Sequence, residues 1–215
     1  MKRPIFSLVT FGLLFFLAIS CSKPQTIRLW NGNDFSGWEF FVPSDTVELT
    51  DVWSIKEGVI HCKGIPSGYM RTEADYANFI LTLDWRWVEK ESNSGVLIRA
   101  QEPDQIWPNS IECQLLSQNA GDLIIIGPGS LTVDGKKIEN TERYTIIPKK
   151  QTSNEKLIGE WNSYQIVAKN NEITCYVNGL LQNHATQASL AKGKICLQSE
   201  GAPIEFRNIR LELLD

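Results

Sequence analysis

The chain is poor in the residues that most often announce chemistry. It has two histidines in 215 residues, His61 and His184, and they do not form a metal-spaced pair. Its five cysteines include no close C-x-x-C pair, which argues against a zinc site. No G-x-S-x-G string is present, so the sharp elbow that carries a hydrolase serine is missing. Basic residues do not cluster; the pairs Lys136–Lys137 and Lys149–Lys150 both sit in loop-like sequence. With 21 Lys and Arg against 25 Asp and Glu, the formal net charge is −4, which argues against nucleic acid as a partner. No segment has a 3.6-residue apolar period long enough for a major helix, and nothing repeats internally.

The longest apolar stretch, Ile5 to Ile19, is fifteen residues, short of the roughly 20 a membrane-spanning helix needs. Lys2 and Arg3 precede it, and Ser20-Cys21 follows. A positive start, a short apolar core and a small residue before a cysteine read as a bacterial lipoprotein signal over residues 1–20, with Cys21 as the lipidated residue. Ordinary secretion with a chance cysteine is the competing reading. Cleavage would remove two cations and leave 19 basic against 25 acidic residues, for a net charge of −6. Residues 21–26 would then be a short tether and 27–215 a single domain. Cys62, Cys113, Cys175 and Cys196 could form two disulfides in three pairings, and spacing selects none. Cys113 and Cys175 lie within strand-like alternation, which favours buried free thiols.

Strand signals fill the rest. In Phe79–Trp87, Phe79, Leu81, Leu83, Trp85 and Trp87 share one face, and Ile80, Thr82, Asp84 and Arg86 the other. Further short strands are read at Gly95–Arg99, Ser110–Leu116, Tyr164–Lys169, Glu172–Asn178, Lys194–Gln198 and Ile204–Leu213. Many short strands with no helices between them predict an all-β antiparallel two-sheet sandwich. The last strand is expected to return beside Ile27–Trp30. Gly121–Gly159 reads as extended loops over a sheet edge.

Alternation also sorts the polar residues. Asp84, Arg86, Arg99, Glu112 and Gln114 all oppose apolar neighbours, so they are expected together on the open face of one sheet, with Arg99 near Glu112. Trp107 and Tyr69 are candidate sugar-stacking residues. His184 follows Asn183 in a polar connection and is a further candidate substrate contact. A solvated, charge-alternating sheet face is the plainer reading of the same set.

Several strings are more specific. Leu29-Trp-Asn-Gly32, Gly37-Trp38, Val52-Trp-Ser-Ile-Lys-Glu-Gly-Val-Ile-His-Cys-Lys-Gly64 and Gly68-Tyr-Met-Arg-Thr72 occur in order. They are followed by Asn93-Ser-Gly-Val-Leu-Ile-Arg99, Ile111-Glu-Cys-Gln-Leu115, Gly159-Glu-Trp-Asn162, Val177-Asn-Gly179, Gly193–Gly201 and Ile204-Glu-Phe-Arg-Asn-Ile209. Together they resemble the 3-keto-disaccharide hydrolase domain, once called domain of unknown function 1080, over about residues 27–213. The resemblance implies a concanavalin A-like jelly roll and action on glycosides whose C3 hydroxyl has become a ketone. The ketone acidifies the proton on C2, so a base can remove it and the group on C1 can leave by β-elimination. On that reading Glu112 is the essential acid, as base or metal ligand. Arg99 holds the ketone oxygen or orients Glu112, and Gln114 positions a sugar hydroxyl. Where many members have Asp-His-Gly, this chain has Ser199-Glu-Gly201, so Glu200 takes the place of a histidine. Carboxylates and an amide would suit a hard divalent ion such as calcium. The competing function is an envelope lipoprotein that binds an oligosaccharide without cleaving it.

The amino-terminal reading is tested by Cys21→Ser. The variant should leave the membrane fraction or remain unprocessed. Unchanged membrane association of a normally cleaved chain would rule out lipid anchoring.

Overall fold

Period-two alternation becomes strands along most of the chain. The computed structural model describes residues 25–43 and 47–215. The signal reading and Cys21 lie outside the described residues. In chain order the first elements are β1 (Thr26–Arg28), β2 (Trp38–Phe41), α1 (Leu49–Val52), β3 (Trp53–Lys56), β4 (Val59–Cys62) and β5 (Gly68–Thr72). Next come β6 (Phe79–Trp87), β7 (Gly95–Ala100), β8 (Ser110–Gln114), β9 (Leu123–Ile126), β10 (Gly129–Val133), β11 (Lys136–Asn140) and β12 (Tyr144–Ile147). The chain closes with β13 (Asn162–Lys169), β14 (Glu172–Val177), β15 (Leu180–Ala185), β16 (Lys194–Ser199) and β17 (Ile204–Leu213). The tether expected over residues 21–26 is therefore interrupted by β1, which begins at Thr26.

One sheet has eight strands. Its path is β15-β14-β13-β6-β17-β4-β3, and β1 adds to β17. The second has seven, in the order β12-β9-β8-β7-β16-β5-β2, and β10–β11 form a separate hairpin. All the strand pairs are antiparallel. β17 follows its expected course: Ile27 pairs with Leu211, while Ile204–Phe206 pairs with β4. One long strand thus ties both ends of the domain into the same sheet.

The large sheets bury one face each in a common core. Phe79, Leu81, Leu83, Trp85 and Trp87 of β6 are all buried in it, as the alternation requires. They share that cluster with Val96 and Ile98 of β7 and Ile111 and Cys113 of β8. Each large apolar side chain removed from water contributes about 1.5–3 kcal/mol, so a row of five on one strand is a major source of stability. Cys113 of one sheet meets Cys175 of the other with sulfurs 3.4 Å apart, and Cys62, Cys113, Cys175 and Cys196 are all free and buried.

Two expectations need correction. Gly121–Gly159 is not mainly loop, because it holds β9 to β12, and β9 and β12 extend the seven-stranded sheet. Leu123–Ile126 is apolar and buried on both faces, so it lacks alternation, and Tyr144–Ile147 is a four-residue strand with apolar residues on its exposed face. The Asp134–Gly135 turn does form, with φ of 51° and 75°, and joins β10 to β11. The second correction is at Arg99. Between Leu97 and Ala100 the chain advances three residues while β16 advances only two, from Cys196 to Lys194. This β-bulge puts Arg99 at φ 54° and gives the outer face to Ala100 instead.

Arg99 is 0% exposed, and its guanidinium donates to the carbonyls of Leu190 at 2.6 Å, Asn170 at 2.7 Å and Ala77 at 3.2 Å. It pins three connections at one end of the sheets. Arg99→Met should therefore lower the unfolding free energy by about 3 kcal/mol or more in chemical denaturation. Unchanged stability with lost ligand chemistry would return Arg99 to the site.

Candidate functional site

The register of the seven-stranded sheet builds a cleft on its outer face. Directly opposed residues of neighbouring strands project to the same side. Leu97 pairs with Glu112, Glu112 with Ile124, and Ile124 with Ile146. One row thus crosses β7, β8, β9 and β12 with an acid in its middle. The flanking rows put Gln114 opposite Gly95, and Ser110, Ile126 and Tyr144 side by side. Val96, Ile98, Ile111, Cys113 and Leu123 point the other way, into the core. The cleft has a volume of about 410 Å³ and is lined on one side by Asn93, Gln114, Glu200 and Arg143 around Glu112. The other side is apolar.

Glu112 lies over Gly95. A Cβ at residue 95 would collide with Glu112 Oε1 and with Gln198 Oε1, so only glycine leaves room for both side chains. Glu112 is 4% exposed, and its Oε1 has no hydrogen-bond partner. Neither polar atom of the Gln198 amide has one, and Asn93 Oδ1 is likewise unpartnered. Buried polar atoms are nearly always satisfied, and a cluster of orphans beside a cleft is what a ligand-binding site leaves when read from protein alone. Burial, and secondarily the charge of Glu200, pushes the Glu112 carboxyl up to about 8. Glu200 is also raised by burial, an effect opposed by the Asn93 side chain and by the charge of Arg143. Gly201, at φ 90°, lets the Ser92–Asn93 turn pack against Glu200, since a Cβ there would strike Ser92 Oγ.

The other polar group is partly committed. Gln114 Oε1 accepts from the backbone N–H of Leu115 and of Leu116, both at 2.9 Å, so Nε2 is the end available to a ligand. Trp107 lines the cleft and packs with Ile124 and Ile126.

Of the residues singled out by sequence, Glu112, Gln114, Glu200 and Trp107 come together. The rest do not. Asp84 and Arg86 belong to β6, which pairs with β13 and β17 in the opposite sheet. There Asp84 accepts from Arg207 Nε at 3.1 Å and Asn208 Nδ2 at 2.7 Å. Arg86 pairs with Glu205 and lies 4.6 Å over the Trp161 ring. That face has its own concavity of about 380 Å³, with Asp84 in its lining. It has no unpartnered buried carboxylate. Arg99 is held elsewhere by carbonyls, as described above. Tyr69 stacks on Phe41, donates its hydroxyl to Asp104 Oδ1 at 2.9 Å and is a buried member of the small outer-face cluster against which Trp107 packs, without lining the cleft. His184 lies on β15, not in a connection, with Nδ1 2.9 Å from Thr174 Oγ1.

Among the described residues no group of three or more His, Cys, Asp or Glu is placed to hold a metal. A calcium ion takes six to eight oxygens. At this end of the cleft it would find Glu112, Glu200 and the amide oxygen of Asn93, which suit it in kind and fall short in number.

Residues 25–212 match the model of the 3-keto-alpha-glucoside-1,2-lyase-like domain. The chain belongs to this family. No curated protein matches it. Among solved structures, a candidate glycosyl hydrolase from Parabacteroides distasonis is 25% identical, with a TM-score of 0.64 over 88% of this chain and 94% of its own. The carbohydrate-binding module CBM66 from Bacillus subtilis is 11% identical, with a TM-score of 0.60 over 82% of this chain and 95% of its own. A β-glucanase from Bacillus licheniformis is 13% identical, with a TM-score of 0.56 over 91% and 99%. The last two likenesses show a shared fold alone. The chain thus belongs to a carbohydrate-active, glycosidase-like fold family.

Sequence reasoning passed over Asn93, Gln198, Arg143 and Tyr144. Asn93 and Gln198 lie within the family strings, next to Gly95 and Glu200. Arg143 and Tyr144 lay in sequence read as loop, and no motif marks them.

Proposed function

We propose that this domain cleaves 3-keto glycosides by removing the C2 proton and eliminating the group on C1, with Glu112 as the base. The carrying observation is the Glu112 carboxyl: buried, unpartnered and held near 8 in the middle of a sugar-sized cleft. A base is most effective when its pKa lies near the working pH. Ionised Glu112 takes the C2 proton. The C2–H electron pair flows toward the C3 oxygen, where Gln114 Nε2 offers an amide N–H to the developing charge. That charge then returns as the C1–C2 double bond, the C1–O bond breaks, and the departing oxygen takes a proton from solvent. Water can later add to the unsaturated sugar. The paired carboxylates of ordinary glycoside hydrolysis are not required, and no step here runs through a metal.

The finer architecture belongs to the same reading: the two large sheets as the layers of a concanavalin A-like jelly roll. So does a location in a Gram-negative envelope, anchored through lipid on Cys21, on the periplasmic or outer-membrane side. Among the described residues no helix is long and apolar enough to cross a membrane. A buried acid in a formed cleft favours catalysis over simple sugar binding, for which a shallow aromatic groove would suffice.

Glu112→Gln keeps the size of the side chain and removes its basicity. It should cut turnover of 3-keto glycosides by about 100-fold or more. Because the ionised form acts, wild-type kcat/KM should climb with pH and level off above about 8. Glu200→Gln removes a neighbouring negative charge and should move the inflection to lower pH. Comparable turnover of the matching unoxidised glycoside would sink the elimination route. Sugar binding with no turnover of any oxidised substrate would favour the binding module.

A further inference from the structure

The cleft is two-sided about Glu112. Toward β7 and β16 lie Asn93 and Glu200, the oxygen- and amide-bearing end, with Gln198 buried behind them. Toward β9 and β12 lie Ile124, Ile126 and Ile146, with Tyr144 beside Ile126. The apolar side starts one strand from Glu112, because Glu112 pairs directly with Ile124. It extends through Ile146, two strands away, which is about 10 Å at ordinary strand spacing. That is room for one ring. Tyr144 is 53% exposed and Ile146 51%, so this wall presents apolar surface that the folded chain leaves uncovered.

Trp107 and Tyr144 would serve a sugar face or an aryl ring equally. The three isoleucines decide between them. An aliphatic side chain offers nothing to a hydroxyl, and a second pyranose laid here would lose water from several hydroxyls without regaining hydrogen bonds. An aromatic or alkyl group loses nothing of the kind and covers the exposed wall.

Resting on the elimination reading above, we infer that the aglycone is an aryl alcohol, not a second sugar, and that Ile124, Ile126 and Ile146 set this specificity. The 3-keto ring sits at the amide end with C2 facing Glu112, and the C1 substituent lies along the isoleucine row. In the elimination the C1–O bond breaks onto the aglycone oxygen. A phenol departs as its phenolate without a proton donor, and the isoleucines supply none.

Binding and turnover separate this inference from the reading beneath it. Calorimetry on Glu112→Gln, which holds substrate without consuming it, compares phenyl 3-keto-α-glucoside with maltose oxidised at C3 of its non-reducing ring. The phenyl compound should bind at least tenfold more tightly. Adding Ile146→Asn, a change at a half-exposed edge-strand position that folding tolerates, should weaken the phenyl compound roughly tenfold and leave the disaccharide unchanged. Equal or tighter binding of the disaccharide overturns the inference, as does an Ile146→Asn effect equal on both ligands. Aryl preference in binding with no wild-type turnover of either compound would uphold it and sink the elimination chemistry alone.

Discussion

An acid buried without a partner is the constraint around which this sheet face is arranged. Glu112 fits only because Gly95 has no side chain, and neither Gln198 nor the Asn93 amide oxygen pairs with it. Such a group costs stability. Its folded pKa lies above that of an unfolded glutamate, so the folded state holds its proton more tightly. Below about 4.5 both states are protonated and nothing is lost. Between that value and about 8 the unfolded chain ionises while the folded one resists, and stability falls as pH rises. A core this apolar can carry that cost, and a buried hydrocarbon would serve the fold better. The acid is therefore explained by what it does to a ligand.

The same sheet gives the site its two chemical characters through strand order. β8 carries Glu112 and Gln114 at the centre. β7 and β16 end in turns that bring Asn93 and Glu200 to one side, and β9 and β12 lay isoleucines on the other. Burial raises the Glu200 carboxyl pKa, and Arg143 reaches toward it closely enough to oppose that rise, which links the β12 rim to the polar end. The opposite sheet, with its Arg86–Glu205 pair and Trp161 between Arg86 and Arg207, contributes the second half of the core.

Much of this was readable in the residues. The Phe79–Trp87 alternation gave its buried face correctly, and the return of Ile204–Leu213 to Ile27 formed as read. The opposition of Glu112 and Gln114 to Ile111 and Cys113 put both on the outer face. What alternation cannot give is which strands are neighbours. Asp84 and Arg86 share a period with Glu112 and lie in a different sheet. Nor does it reveal a bulge: one extra residue near Arg99 turned a candidate oxyanion partner into an interior clamp on three carbonyls. β9 gives no two-residue signal because it is apolar on both faces, and β12 gives none because its exposed face carries Tyr144 and Ile146 where polar residues would mark it.

The account stands or falls on the ionisation of one carboxyl. Carbon-13 NMR of a glutamate-labelled protein, with Glu112 assigned by its absence in Glu112→Gln, reads that ionisation directly. The account predicts a midpoint near 8, moving down when Glu200 is replaced by glutamine. A Glu112 midpoint in the ordinary range of about 4 to 5, insensitive to Glu200, would contradict it.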